Sequence, residues 1–145
     1  MSIDPRNTRE DSQRKVFEEI IKDGVCPFCR NHLSKYHKPQ IHERVYWLVT
    51  ENQWPYKGAK KHTLIILRRH EEDISSLKYN EWLELLSILK EVSKEEGVSG
   101  GAIGMRFGDT LSSGATVNHI HAHIVVPDTD DLDYEPIKFY VGGHR

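Results

Sequence analysis

Several features that would mark a specialised class of protein are missing from this sequence. No apolar run approaches the roughly 18 residues that a membrane-spanning helix needs, and residues 1–7 lack the apolar core of a signal peptide. There is no basic excess either, because 20 Lys and Arg stand against 22 Asp and Glu and the formal net charge is -2. That balance argues against non-specific binding of nucleic acid. We therefore expect a cytoplasmic protein with neither a membrane nor a nucleic acid as its partner.

Repeats, low-complexity tracts and linkers are also missing. The 145 residues have the length of one domain and enough apolar side chains, 37%, to bury a single core. We therefore predict one domain over residues 1–145.

Cysteine is scarce, and its placement is informative. The only two cysteines, Cys26 and Cys29, form Cys-Pro-Phe-Cys. In a reducing compartment such a pair binds a metal or is redox-active more often than it forms a structural disulfide. Both readings remain open at this point, but a zinc ribbon with four cysteines is excluded.

The apolar pattern predicts an α+β fold. A helix is expected over residues 11–23, where Gly24 ends it, and a second begins near Asn80 and ends before Gly97. The polar segment 32–40 is predicted to be a loop. Stretches rich in β-branched and aromatic residues predict strands at 44–50, 62–67, 102–107, 117–126 and 136–141. Most strands follow one another without a helix between them, which favours an antiparallel sheet with helices on one face.

Three histidines alternate with apolar residues in the fourth predicted strand. His119, His121 and His123 should project from one face of the sheet, while the residues between them pack on the other. One metal could be shared by all three, but their outer Cα atoms lie about 13 Å apart on a flat strand, which suits separate roles better. The alternative of three ordinary surface histidines has no packing rationale. A neutral imidazole is a competent nucleophile toward phosphorus.

A loop of small residues precedes the histidines. Ser112, Ser113, Gly114 and Thr116 offer hydroxyl groups and a close backbone approach, which an anionic phosphate needs. Such residues also make ordinary turns, so this loop supports phosphate binding only together with the histidines.

Three segments, in order along residues 26–127, resemble the histidine triad (HIT) family. The stretch from Gly114 to Pro127 carries His-x-His-x-His and two apolar residues after it. Upstream, Asn52-Gln-Trp-Pro and the run from His62 to His70 are similar to the family's Asn-x-x-Pro and His-x-Leu-Val-Ile-Pro-Lys-x-His segments. Cys26-Pro-Phe-Cys29 is similar to the Cys-x-Phe-Cys of its zinc-binding branch, which is related to the galactose-1-phosphate uridylyltransferases.

The resemblance implies a fold and a mechanism. The fold is a HIT-like domain of about five antiparallel strands and two helices, commonly paired as a homodimer. His121 is implied as the nucleophile on the α-phosphorus of a nucleotide, which forms a nucleotidyl-histidine, and His123 as the group that contacts the phosphate and helps to protonate the leaving group. Asn52 matches a residue that binds the ribose and Thr116 one near the leaving group, with Ser113 and Gly114 as further substrate-binding residues.

The resemblance also implies a structural zinc. Its ligands correspond to Cys26, Cys29, His70 and His119, the closed Cys2His2 set that suits tetrahedral zinc. His62 is the alternative fourth ligand, and a redox role for the cysteines is the alternative to a metal.

Two positions in this stretch bear on function. Ala115 stands where the family carries Gln, so one phosphate-side amide is missing. The third histidine position holds His123, where the transferase and phosphorylase branches typically carry Gln, which favours hydrolysis. We therefore expect a hydrolase that acts on a dinucleoside polyphosphate or a nucleoside phosphoramidate. The alternatives are a nucleotidyl transferase or phosphorylase with the same nucleophile, and a nucleotide-binding protein with little or no turnover.

Overall fold

A five-stranded antiparallel sheet forms the centre of the molecule. The structure, a computed structural model, describes residues 2–145. The strands follow the order β1-β2-β3-β5-β4 across the sheet, and every neighbouring pair is antiparallel. They are β1 (Ile41–Glu43), β2 (Trp47–Glu51), β3 (Ala59–Leu67), β4 (Ala102–Arg106) and β5 (His121–Pro127). The predicted α+β fold is thus confirmed.

Four helical segments accompany the sheet. They are α1 (Asp11–Asp23), α2 (Arg30–Tyr36), α3 (Tyr79–Val92) and the single turn α4 (Thr110–Ser113). Helix α1 has the predicted bounds because Gly24 adopts a left-handed conformation, with φ 67°, and its N–H bonds the carbonyl groups of Ile20 and Ile21. Within residues 2–145, no helix is long and apolar enough to cross a membrane.

Each face of the sheet has its own apolar cluster. Helix α3 packs on one face through Leu85, Ile88 and Val92, against a cluster that also contains Ile65, Leu67, Trp47, Ile120, Ala122, Ile124 and Val126. The residues between the histidines lie in this cluster, as predicted. On the other face, Leu33 of α2 packs against Leu48, Leu64 and Ile66. The expectation of helices on one face only was therefore wrong.

Two predicted elements differ in the structure. Residues 136–141 form no strand, and the fifth strand is β1. The 136–141 segment lies across the sheet instead, where the Phe139 ring packs on Gly104 and the Tyr140 carbonyl accepts a hydrogen bond from Arg106. The predicted loop 32–40 was also wrong in its first half, because α2 continues to Tyr36 and buries Leu33, a single apolar residue in a polar segment.

Some boundaries also moved. Residues 117–120 lie outside β5 because other segments take their backbone groups: the N–H of Asn118 bonds the Ser2 carbonyl and that of Ile120 bonds the Glu71 carbonyl. Helix α3 ends at Val92, before Gly97, and Asn80 lies inside it instead of capping it.

The N-terminal and C-terminal segments meet beside α4. The Asn7 side chain joins them: its amide nitrogen donates to the Ala115 carbonyl at 2.9 Å, and its oxygen accepts from the His144 N–H at 3.0 Å. The Gly143 N–H also bonds the Leu111 carbonyl at 2.6 Å. Contacts far apart in sequence therefore hold the loop that precedes the histidines.

Candidate functional site

Four predicted metal ligands converge from three separate parts of the chain. Cys26 and Cys29 lie between α1 and α2, His70 follows β3, and His119 lies just before β5. Their ligand atoms are all within 4.8 Å of one another. The two histidine Nδ1 atoms are 3.2 Å apart, and the sulfur of Cys29 is 3.4 Å from the Nδ1 of His70.

The geometry and the protonation of this cluster fit a metal ion. A tetrahedral zinc with two sulfur and two nitrogen ligands implies ligand-to-ligand distances of about 3.3–3.8 Å, and four of the six pairs of ligand atoms are 3.2 to 3.9 Å apart here. The Nε2 of His119 donates to the Leu67 carbonyl at 2.6 Å, and the Nε2 of His70 lies 3.2 Å from a Glu72 carboxylate oxygen. Both Nδ1 atoms are thus left with lone pairs that point at each other, an arrangement that a cation stabilises. These four residues could hold a metal ion.

The alternatives to this ligand set are less well supported. Two histidine nitrogens lie near the Cys29 sulfur, the Nδ1 of His70 at 3.4 Å and that of His119 at 3.9 Å, and these additional ligand atoms favour a metal over a redox pair of thiols. His62 lies outside the cluster, because its two ring nitrogens contact the Tyr56 N–H and His123. His70 is therefore the histidine that joins His119 and the cysteines.

The middle histidine is held in one tautomer by the backbone. The Nδ1 of His121 lies 2.6 Å from the His119 carbonyl oxygen, and a carbonyl only accepts, so Nδ1 carries the proton and Nε2 keeps its lone pair. Burial lowers the pKa of His121 to about 4, and the positive charge of Arg106 acts in the same direction. His121 is therefore neutral at physiological pH, with one nitrogen free to act as a nucleophile.

A chain of hydrogen bonds gives His123 the opposite tautomer. The Tyr56 N–H donates to the Nδ1 of His62 at 3.1 Å, so the proton of His62 is on Nε2, which donates to the Nδ1 of His123 at 2.8 Å. The Nε2 of His123 therefore carries a proton, and this buried nitrogen has no hydrogen-bond partner within residues 2–145. Burial lowers the pKa of His62 to about 3 and holds the pKa of His123 well below its ordinary value.

A cavity of about 60 Å³ has both of these histidines in its wall, together with three predicted substrate-binding residues, Asn52, Gly114 and Thr116. The remaining wall is partly apolar, with Phe17, Phe28, Leu64 and Val117.

Ser113 does not reach this wall. Its hydroxyl oxygen accepts from the Ala115 N–H at 3.2 Å, and its carbonyl accepts from Arg106. The structure thus brings together all the predicted substrate-binding residues except Ser113.

Sequence reasoning missed two arginines in the same wall. Arg106 is 8% exposed, and it donates to the Tyr140 carbonyl at 2.7 Å and to the Tyr56 hydroxyl at 3.3 Å. Arg9 lies over the Tyr56 ring, 4.4 Å from its centre, and donates to the Trp54 carbonyl at 2.6 Å. Arg106 could have been found as the only charge in an otherwise apolar strand, whereas Arg9 lies in a polar segment and carries no such signal.

A larger cavity of about 560 Å³ lies beside the histidine site. It is mainly apolar and runs between β4 and the 134–139 segment, and Tyr56 contributes to both cavities. None of the predicted site residues lines it.

The sequence and the fold are similar to those of histidine triad proteins. The family model described as "HIT domain" matches residues 55–130. A zinc-bound histidine triad family protein from Mycobacterium smegmatis is 22% identical, with a TM-score of 0.56 over 75% of this chain and 79% of that one. A HIT family hydrolase from Legionella pneumophila is 23% identical, with a TM-score of 0.55 over 75% and 98%.

A histidine triad nucleotide-binding protein from Candida albicans is 16% identical, with a TM-score of 0.57 over 83% of this chain and 87% of that one. No curated protein sequence matches the chain at a significant level. At such identities, likeness to the solved structures shows the fold alone.

Proposed function

The chain belongs to the HIT domain family, whose model matches just over half of it, and from this premise we propose that it is a nucleotide hydrolase with His121 as its nucleophile. The observation that carries the proposal is the pair of opposite tautomers: an Nε2 lone pair on His121 and an Nε2 proton on buried His123, in the wall of one cavity. A nucleophile beside a hydrogen-bond donor for the developing negative charge suits phosphoryl substitution in two steps.

The proposed reaction has two displacements at the α-phosphorus. The Nε2 of His121 attacks, the phosphorus–nitrogen bond forms, and the bond from phosphorus to the leaving group breaks. A phosphate leaving group departs as an anion, and its oxygen accepts a hydrogen bond from the Nε2–H of His123. A water molecule then attacks the phosphorus of the nucleotidyl-histidine and gives up one proton to the solvent. The phosphorus–nitrogen bond breaks, its electron pair returns to the Nε2 of His121, and a nucleoside monophosphate departs.

The other wall residues have binding roles in this proposal. Asn52 binds the ribose, while Gly114 and Thr116 lie on the phosphate and leaving-group side. Ser113 does not contact the ligand in this proposal. Its side chain lies outside the cavity wall and supports the loop through its hydrogen bond with the Ala115 N–H. The apolar part of the wall takes the nucleoside.

Zinc completes the proposal as a structural ion. Cys26, Cys29, His70 and His119 would hold it, and when bound it supplies the charge that stabilises two thiolates. These residues connect the start of α2 to the end of β3 and to the segment just before β5, and so fix the His119 carbonyl that orients His121. A reducing compartment such as the cytoplasm keeps both thiols available, so a cytoplasmic location belongs to the proposal.

A homodimer is also part of the proposal. Strand β4 is an edge of the sheet, and Ile103 and Phe107 on and beside it are 61% and 51% exposed. An unpaired edge with apolar side chains is a natural contact for a second copy of the chain. Light scattering coupled to size exclusion measures the mass, and a monomer at micromolar concentration would contradict this part.

The test of the hydrolase is a substrate panel with a trapped intermediate. Adenosine and guanosine dinucleoside polyphosphates and phosphoramidates are incubated with wild type, His121→Ala and the control His42→Ala, whose histidine is exposed on β1. We expect His121→Ala to lose about 10³-fold or more in kcat and His42→Ala to lose nothing. Mass spectrometry after an acid quench should find the nucleotidyl adduct on His121 in wild type.

Two results would change the conclusion. Unaltered turnover in His121→Ala would reject the nucleophile. A nucleoside diphosphate that forms only when inorganic phosphate is added would assign a phosphorylase instead.

A further inference from the structure

Two guanidinium groups in the cavity wall lack an acidic partner. Arg106 is buried and bonds only carbonyl groups and the Tyr56 hydroxyl, while Arg9 bonds a carbonyl and stacks on the same tyrosine. Among residues 2–145, no carboxylate forms an ion pair with either. Arg69 shows the usual alternative, since its guanidinium bonds both carboxylate oxygens of Glu81 at 2.7 and 3.0 Å.

Because neither arginine is paired with a carboxylate, the cavity wall carries positive charge. Its wall contains Arg9 and Arg106 but, in the described part of the chain, no Asp or Glu, although the sequence as a whole has a net charge of -2. A cation taken out of water without a counterion is costly, and an anionic ligand offsets that cost. The wall is therefore built for a ligand with negative charge.

The two arginines are held in place before any ligand arrives. Two backbone carbonyls fix one end of the Arg106 guanidinium, and the Phe139 ring covers its face at 4.1 Å. Tyr56 links the pair, with its hydroxyl on Arg106 and its ring under Arg9. Such fixed donors lose little conformational freedom when they bind phosphate oxygens.

Arg106 lies next to His121, the proposed nucleophile. In the sheet register it lies directly opposite His121, and its Nη1 is 3.1 Å from where a side chain on Gly114 would begin. Next to this glycine, Ala115 provides no side-chain donor for a phosphate. The guanidinium thus stands on the phosphate side of the cavity, whose wall also contains His123 with its unpartnered Nε2–H.

We propose that Arg9 and Arg106 bind phosphate groups beyond the one that His121 attacks, so that the substrate is a nucleoside polyphosphate or dinucleoside polyphosphate and not a phosphoramidate with an uncharged leaving group. The identity of the attacked phosphate rests on the proposed function. The anion wall itself does not, because it is a binding surface.

Binding without turnover tests the proposal. Calorimetry compares a nucleoside monophosphate with the α,β-methylene diphosphate analogue, which cannot be split between its phosphates, for both adenosine and guanosine. Wild type should bind the diphosphate about tenfold more tightly or better. Arg9→Gln and Arg106→Gln should each bring this ratio close to one. Arg14→Gln removes the same charge from an exposed position on α1 and should leave the ratio unchanged.

The buried position of Arg106 calls for a check of folding. If circular dichroism shows that Arg106→Gln is unfolded, Arg9→Gln and Arg106→Lys take its place in the test. Arg106→Lys keeps the positive charge but loses the planar guanidinium, so its ratio of diphosphate to monophosphate affinity should be intermediate. A wild-type ratio near one, or a wild-type ratio retained in all the variants, would overturn the proposal. A protein that shows this ratio but no turnover would reject the hydrolase and leave the anion wall standing.

Discussion

Arg106 on β4 and His121 on β5 are register partners in the sheet, so their side chains leave the same face next to each other. Arginine side chains are cations. A neighbouring cation disfavours the protonated form of the imidazole, and it therefore acts with burial to keep His121 neutral. In the proposal above, one arginine thus both favours the neutral form of the nucleophile and binds a phosphate group next to the one that the nucleophile attacks.

The hydrogen-bond chain through His62 sets the proton on His123, and a pair of substitutions tests it. His62→Phe removes the donor to His123, so that its tautomer is no longer fixed, and kcat should fall by about 10²-fold, the usual loss when a hydrogen-bond donor to the transition state is misplaced. His62→Gln supplies an amide N–H in a similar place and should recover most of the rate. Steady-state kinetics with a polyphosphate substrate measures both. Equal rates in the two variants would contradict a role in proton placement.

Stability should depend on pH through the same residue. Burial, and then Arg9 and His121, lowers the pKa of His62 from 6.5 to about 3. Between these values the unfolded chain binds a proton that the folded chain does not, so stability falls as the pH decreases from 6.5 towards 3. Each such proton contributes about 1.4 kcal/mol per pH unit.

His62→Gln cannot take up that proton, so urea unfolding between pH 6.5 and 4.5 should show a shallower loss of stability than in wild type. Parallel curves for the two proteins would mean that His62 is already protonated in the fold.

Removing the metal should lower the stability of the protein and weaken the local structure around α2. We expect one zinc per chain by mass spectrometry of metals, and much less in His70→Ala and Cys29→Ser, while His62→Gln keeps its zinc. A chelator should lower Tm by about 10 °C or more, because binding of a structural zinc contributes to the free energy of unfolding. Hydrogen exchange should speed up first in α2, next to Cys29. Full zinc content in His70→Ala would reject the ligand set.

The C-terminal segment supports the anion wall through one ring. Phe139 packs on Gly104 and lies 4.1 Å from the Arg106 guanidinium. Phe139→Ala should cost about 1–2 kcal/mol, a few degrees in Tm, and should weaken diphosphate binding more than monophosphate binding. Leu132→Ala is a matched control, because Leu132 is fully exposed. Equal weakening for both ligands would mean that the ring supports the fold but not the arginine.

Local patterns in the sequence predicted much of this molecule. The bounds of α1 follow from its apolar spacing and from Gly24, and the alternation around His121 predicts which side chains enter the core and which enter the site. The family resemblance predicted the four candidate metal ligands, which come from three separate segments, because the order of motifs carries long-range information that spacing alone does not.

Other features depend on contacts between distant segments. Residues 136–141 have the composition of a strand, but the Tyr140 carbonyl accepts from the Arg106 side chain instead of from a sheet edge, and Gly143, just beyond, bonds the Leu111 carbonyl of α4. Helix α2 has a single buried residue, Leu33, and so has almost no periodicity to detect. Arg9 becomes part of the site only because the N-terminal segment folds against Trp54 and Tyr56.

The link that Asn7 makes between Ala115 and His144 has a consequence for how a break in the backbone would affect the two sites. All four candidate metal ligands lie between residues 26 and 119, whereas the carbonyl that braces Arg106 belongs to Tyr140, and the last contact of Asn7 is with residue 144. A proteolytic cut in the segment between residues 128 and 134 would therefore leave the metal ligands on one piece and separate the nucleotide cavity from its C-terminal support. Zinc content should survive such a cut, while the affinity for nucleotides falls.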